Sequence, residues 1–329
     1  MLEHVLNLGN QLKTDLETSE GFSSVDYERI LIVGMGGSGV AGDVLKLILN
    51  KHTNIDVEVS KTYNLTKNLI AARPFCLFIS YSGNTEETIS VAKDAIDENL
   101  EWAVISSGGE LLDLATEHNK KFVKVPDGLQ PRAAFGLMTK AVVNYLPKQT
   151  KEIFINACEE AGNYLNNLTK DASNEVFEIS KDIVNQIGSK TAVIYAGSDL
   201  TYLVAQRWKT QINENSKSKA YVGFMPEVHH NEILSWEADQ EGSKNNFILI
   251  LLRGDDYKKI DNRFEFTKEI IGSKVDTIDV RNISSDNLII DLFHLVLIGD
   301  LVSVNLADQL DIDPFNIDAI ENLKKKLKG

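Results

Sequence analysis

Two hydrophobic periodicities alternate along the chain. Short apolar runs, "RILIV" (29–33), "IDVEV" (55–59), "FCLFIS" (75–80), "WAVIS" (102–106) and "KFVKV" (121–125), predict five strands. Amphipathic stretches such as "VAGDVLKLIL" and "EETISVAKDAID" lie between them with helical spacing. Strands separated by helices imply βαβ units and a parallel sheet. Residues 2–20 and 134–146 predict flanking helices. Two further helical stretches follow, 151–168 and 174–187, and the alternation then restarts. "TAVIYAG", "KAYVG", "NFILILL" and "VDTIDV" predict the later strands. The segment 287–310 is apolar almost all round, which predicts a buried helix, and "FNIDAIENLKKKL" predicts a terminal amphipathic one. The pattern gives an α/β fold of two doubly wound domains, 1–150 and 151–329, each a mainly parallel sheet flanked by helices.

Composition narrows the partners. The 329 residues carry a formal net charge of −14. Such a surface argues against general nucleic-acid binding and against an anionic membrane surface. A local cluster of donors can still hold a small anion. The two cysteines, Cys76 and Cys158, permit no disulfide framework or zinc spacing. The apolar runs "FILILL" and "LFHLVLIG" are too short to span a bilayer. The N-terminal stretch is amphipathic and acidic, unlike a secretory signal. A reducing, cytoplasmic location is the expectation.

The first strand runs into "GMGGSG", where Gly34, Gly36 and Gly39 fit G-x-G-x-x-G. This turn serves a dinucleotide or a single phosphate equally well, because both use helix-terminal N–H groups. A dinucleotide also calls for an acid at the end of the second strand. Asp56 and Glu58 instead alternate within that strand, which leaves through Ser60 and Lys61. The third strand ends in "SYSGNTEET", which crowds Ser80, Ser82 and Thr85 around a Gly83-Asn84 turn ahead of a helix. Hydroxyls beside helix-terminal N–H groups suit a phosphate monoester. Gly37 and Ser38 of the first loop join this set. The plainer reading of Thr85 is a helix cap, and Thr88 reads as an ordinary helix position.

"GMGGSG" followed by "SYSGNTEET" resembles the sugar isomerase (SIS) fold. "PRAAFG" (131–136), "INENSK" (212–217), "PEVHHNEI" (226–233) and "IENLKKKL" (320–327) are similar, in the same order, to motifs of bifunctional phosphoglucose/phosphomannose isomerases. The resemblance implies interconversion of glucose 6-phosphate and mannose 6-phosphate with fructose 6-phosphate through a cis-enediol. That chemistry requires a base between C1 and C2, a cation for enediolate charge and an acid–base group for ring opening. It requires no metal or redox cofactor. By resemblance Glu214 is the base, His230 opens the ring, Arg132 stabilises the enediolate and Lys324 lies near the substrate oxygens. The resemblance also implies a homodimer in which His230 comes from the neighbouring subunit, with His229 a bystander. Asn231 and Glu232 are then placed to orient the imidazole. The segment "DPFNID" departs from the family's usual Thr-Pro, so no threonine stands there to contact substrate. The alternatives are an isomerase of another phosphosugar such as an amino sugar, a non-catalytic sugar-phosphate sensor and a dehydrogenase.

Overall fold

The computed structural model describes residues 1–20, 22, 26–254 and 258–328. By its internal contacts the chain forms two units: Leu6–Asn167 with Asn287–Ile290, and Met1–Val5 with Leu168–Asp286 and Asp291–Gly329. The expected boundary at 150 falls at the start of a long helix. That helix groups with the N-terminal unit almost to its end.

The chain opens with α1 (Leu2–Leu6) and α2 (Leu8–Lys13). The elements that follow are β1 (Glu17–Thr18), β2 (Arg29–Gly34), α3 (Gly36–His52), β3 (Asp56–Ser60), α4 (Lys67–Ala72) and β4 (Phe75–Ile79). Then come α5 (Glu86–Asp97), β5 (Trp102–Ser106), α6 (Gly109–Glu117), β6 (Lys121–Lys124), α7 (Phe135–Val143) and α8 (Lys148–Thr169). The sheet order is β1-β6-β5-β4-β2-β3, parallel except for β1, which runs antiparallel to β6. The helix expected over 2–20 ends at Lys13, and its last part holds the two-residue strand β1 instead. Strands β2, β4 and β5 are buried on both faces, which explains their unbroken apolar runs. β3 sits at an edge, and its Asp56 and Glu58 point to solvent. Asp56 pairs with Arg29 at 2.6 Å. Between β2 and β4 the connections diverge to opposite sides, so the ends of these neighbours form the topological switch point.

The C-terminal unit holds α9 (Glu175–Ile187), β7 (Thr191–Ala196), α10 (Asp199–Asn215), β8 (Ala220–Phe224) and α11 (Gln240–Asn246). After them come β9 (Phe247–Arg253), α12 (Lys258–Ile271), β10 (Asp276–Arg281), α13 (Leu288–Gln309) and α14 (Asp318–Lys328). Its sheet is wholly parallel, in the order β10-β9-β7-β8. One face packs Tyr195, Leu249 and Leu251 against Ile260, Phe264 and Trp236. α13 is long and apolar enough to cross a membrane by length and composition alone, yet most of it is buried in the protein. It carries polar groups that bond to α10. Asp300 accepts hydrogen bonds from Arg207 (2.6 Å) and Gln211 (3.0 Å), and Ser303 accepts one from Asn215 (2.9 Å). Arg207, Gln211 and Asn215 recur every four residues, so one face of α10 is fastened along its length.

Candidate active site

The two loops singled out from sequence meet at the switch point of the N-terminal unit. Gly36, with φ +52°, makes the turn from β2 into α3. Gly37, the second residue of the helix, lies under the segment Pro131–Arg132. A Cβ there would sit 3.3 Å from the Pro131 carbonyl oxygen and 3.6 Å from the Arg132 Cα. Glycine therefore lets this short 3₁₀ turn (Pro131–Ala133) close onto the loop. The first turn of α3 contains no acid, so its positive end is unopposed.

Ser38 accepts a hydrogen bond from the Tyr81 N–H (3.1 Å), which ties this helix start to the end of β4. Ser80 is buried. Its Oγ accepts from the Gly83 N–H (3.1 Å) and lies 2.8 Å from the Thr85 Oγ1. Thr85 stands at the N-cap of α5, but its side chain caps no helix N–H. Its hydroxyl is engaged by Ser80 instead. Ser82 is exposed and accepts from the Asn84 N–H at 3.3 Å. Ser38, Ser80 and Ser82 each spend a lone pair on backbone N–H groups. Hydroxyl hydrogens of Ser38 and Ser82 are thereby left free to turn toward an anion. α5 itself bears Glu86 and Glu87 in its first turn, so α3 is the better anion seat of the two. Thr88 is buried, and its Oγ1 has no hydrogen-bond partner among the described residues.

Three residues not singled out from sequence organise this loop cluster. Tyr81 is buried between loops. Its carbonyl accepts from both the N–H (2.9 Å) and the hydroxyl (2.6 Å) of Ser107. Its own hydroxyl donates to Pro126 O and accepts from the Leu129 N–H, both at 3.0 Å. Burial raises its pKa, which keeps it a donor. The loop carrying Ser107, "SSGG", is a serine-glycine turn at the end of β5. Its likeness to the turns after β2 and β4 was the available signal. Gln11 of α2 is also buried. It donates to Ala133 O (2.8 Å) and accepts from the N–H groups of Gly136 (3.0 Å) and Leu137 (3.3 Å). It thus clamps the start of α7 directly after Arg132. Arg132 is buried and donates to Gln130 Oε1 at 2.9 Å. The residues of these two loops and Arg132 are therefore neighbours within one unit.

Glu214, His230 and Lys324 lie in the C-terminal unit. Glu214 is half-buried in the last turn of α10. Lys217 donates to its carbonyl (2.6 Å) and to Pro314 O (3.4 Å), which draws the 313–316 segment alongside. Phe315 there is partly exposed, edge-on to His4. His230 is exposed in a 3₁₀ turn after β8. Glu214 precedes β8 and His230 follows it. The length of that strand, about 17 Å for five residues, separates them along the sheet. The structure does not bring these two together within one chain. Asn231 bonds to Glu227 (3.0 Å) and to the Glu232 N–H (2.5 Å), so it is occupied away from the His230 ring. His229 is the tethered histidine. Nδ1 accepts from Arg263 (2.9 Å) and Nε2 lies 2.8 Å from the Thr267 hydroxyl. Burial, with Arg263 and His230 beside it, lowers its pKa. Lys324 is exposed on α14.

A cavity of about 940 Å³ opens at the opposite, N-terminal ends of β2, β4 and β5, between Arg29, Arg73, Glu101 and Lys120. It is lined by none of the site residues named in this subsection.

Comparison with known proteins follows the same two-part plan. A profile described as "SIS domain" matches residues 25–118, and one described as "Bacterial phospho-glucose isomerase C-terminal SIS domain" matches 178–327. A bifunctional phosphoglucose/phosphomannose isomerase of Thermoplasma acidophilum is 33% identical over 329 residues, 98% of each chain. A D-glucosamine-6-phosphate 4-epimerase of Sulfolobus acidocaldarius is 31% identical over 304 residues, 91% of this chain and 89% of that one. Among solved structures, the C-terminal domain of glucosamine-fructose-6-phosphate aminotransferase from Francisella tularensis shares the fold. Its TM-score is 0.68 at 16% identity, over 95% of this chain and 96% of that one.

Proposed function

Because the chain belongs to the bifunctional phosphoglucose/phosphomannose isomerase family, we propose that it interconverts glucose 6-phosphate and mannose 6-phosphate with fructose 6-phosphate. The observation that carries this reading onto the chain is the loop cluster at the switch point. There an acid-free helix start, Ser38, Ser80, Ser82 and Thr85 converge beside the turn that holds Arg132. The phosphate is held by these hydroxyls and by the N–H groups from Gly37 onward. Arg132 offsets charge on the enediolate oxygens. Glu214 moves the proton between C2 and C1, and Lys324 lies near the same oxygens. Glucose and mannose differ only at C2 and share one enediol, so a single base serves both.

His230 opens the sugar ring. Its separation from Glu214 along β8 supports a homodimer in which each copy lends His230 to the other. The reading extends to a cytoplasmic enzyme of glycolysis and gluconeogenesis, in keeping with two buried free thiols.

The test is incubation with fructose 6-phosphate in D2O with a chelator present, followed by NMR. The expected products are glucose and mannose 6-phosphates deuterated at C2. Exchange into one aldose alone overturns the dual specificity. Phosphosugar binding without exchange overturns the enzyme and favours a sensor. Glucosamine 6-phosphate is run in parallel, since the epimerase relative is nearly as similar. Inversion at C4 of that sugar, with the fructose phosphate inert, overturns the isomerase reading in favour of an amino-sugar enzyme.

A further inference from the structure

Arg132 is buried in a 3₁₀ turn of three residues, Pro131–Ala133. So short a turn does not hold a cation in place by itself. Pro131 fixes φ just ahead of Arg132, so the side chain follows the backbone that carries it. That backbone is an arm, residues 126–134, wholly within the N-terminal unit. Residues 126–130 belong to no strand or helix. Pro126, Asp127 and Gly128 are exposed, and Gly128 takes φ +86°.

Two buried side chains pin the arm, one at each end. Ahead of Arg132, the Tyr81 hydroxyl donates to Pro126 O and accepts from the Leu129 N–H, both at 3.0 Å. Among the described residues, no other hydrogen bond reaches residues 126–129 from outside the arm. Behind Arg132, Gln11 donates to Ala133 O (2.8 Å) and accepts from the N–H groups of Gly136 (3.0 Å) and Leu137 (3.3 Å). Tyr81 is also the pin that reaches the loop cluster. It stands between Ser80 and Ser82, and its N–H donates to Ser38 Oγ at 3.1 Å. Its backbone therefore lies among the hydroxyls while its side chain holds the arm.

We propose that Tyr81 is a positioning residue for Arg132. Its hydroxyl sets the arm in register with Ser38, Ser80 and Ser82, and Gln11 fixes the far end. The proposal rests on the function given above, in which those serines hold the phosphate and Arg132 meets the enediolate. A substrate anchored by its phosphate presents its reacting carbons at a fixed place. An arm that shifts by about an ångström then takes the guanidinium off the enediolate oxygens, and such a misplacement can cost about a hundredfold in rate. A phenol suits the task, because one O–H both donates and accepts on a rigid, packed ring.

The experiment uses the full chain and Tyr81→Phe, which keeps the ring and the backbone bonds to Ser38 and Ser107 and loses only the two bonds to the arm. Circular dichroism checks folding. Amide hydrogen exchange over 126–134 is expected to quicken. Calorimetric binding of inorganic phosphate and KM for fructose 6-phosphate are expected to stay within about twofold of wild type, while kcat falls at least about tenfold, the mark of an interaction made in the transition state. In an Arg132→Met background, adding Tyr81→Phe is expected to change kcat by less than about twofold, since nothing is left to position. Gln11→Met frees the other end and is expected to show the same split; it carries the test if Tyr81→Phe does not fold. Three results overturn the proposal: an unchanged kcat, a loss of phosphate binding as large as the loss of kcat, or a full further loss in the Arg132→Met background. A wild type inert toward fructose 6-phosphate overturns the isomerase reading and this proposal with it. An active wild type with an equally active Tyr81→Phe overturns this proposal alone.

Discussion

Gly83→Ala tests the loop cluster at its tightest point. Gly83 has φ +68°, in the left-handed region, where an L-residue costs about 1–2 kcal/mol. The added Cβ would lie 1.7 Å from the Gly108 carbonyl oxygen, against 3.4 Å or more for an ordinary contact. The "SSGG" loop must therefore retreat by more than an ångström. That strains three hydrogen bonds: Ser107 N–H to Tyr81 O (2.9 Å), Ser107 Oγ to Tyr81 O (2.6 Å) and Leu111 N–H to Gly83 O (2.9 Å). At about 1 kcal/mol net for each, the whole effect is about 4–5 kcal/mol. For a unit of this size each kcal/mol lowers Tm by about 2–4 °C, so a fall of about 10 °C or more is expected by calorimetry. Gly128→Ala is the control. It has φ +86° with no atom within 4 Å of its Cβ, so only the backbone cost of about 1–2 kcal/mol applies. Titration with inorganic phosphate should show Gly83→Ala binding at least about tenfold more weakly than wild type, about 1.4 kcal/mol. If the two variants melt together and Gly83→Ala binds phosphate like wild type, the loop packing does not shape the site.

Glu214→Gln should lower turnover by about 10²–10⁴, the range of a general base, while fructose 6-phosphate still binds. Calorimetric binding beside the deuterium-exchange rate separates the two effects. The paired histidines should divide their roles. His229→Ala loses its bonds to Arg263 and Thr267 and should cost about 1–3 kcal/mol of stability; His230→Ala should leave Tm unchanged and slow isomerisation of the closed-ring substrate. Equal Tm values for the two variants would contradict this. In acid, the cluster around buried Arg253 should fail first. Hydrogen bonds from Arg253 and Lys268 hold Glu265 down at about 2 from its usual 4.5. A depressed carboxyl contributes its stability above pH 4.5 and loses it as pH falls toward 2. The Tm gap between wild type and Glu265→Gln should therefore be widest above pH 4.5 and narrow on acidification.

Chemistry that is local in the chain was legible in the sequence. The apolar runs "RILIV", "FCLFIS" and "WAVIS" are unbroken because their strands are central, and "IDVEV" alternates because β3 is an edge. Serines and glycines at the ends of β2 and β4 announced the loop cluster at the switch point, since a turn that exposes N–H groups and hydroxyls requires those residues there. Groups that act only across long sequence separations stayed hidden. Gln11 clamps residues more than a hundred positions away, and Tyr81 joins three loops through its carbonyl and hydroxyl. Nothing in "GNQLK" or "SYSGN" records such partners. "VHHNE" offered two histidines of equal standing. Packing against α12 made His229 a half-buried fixture and left His230 exposed. The sequence by itself determined the α/β alternation and the glycine turns, because each depends on residues a few positions apart. The tertiary structure alone decided that Glu214 and His230 sit at opposite ends of β8 and that α14 lies uncovered. Those facts follow from the direction in which a parallel sheet returns its chain, which no short stretch of residues encodes.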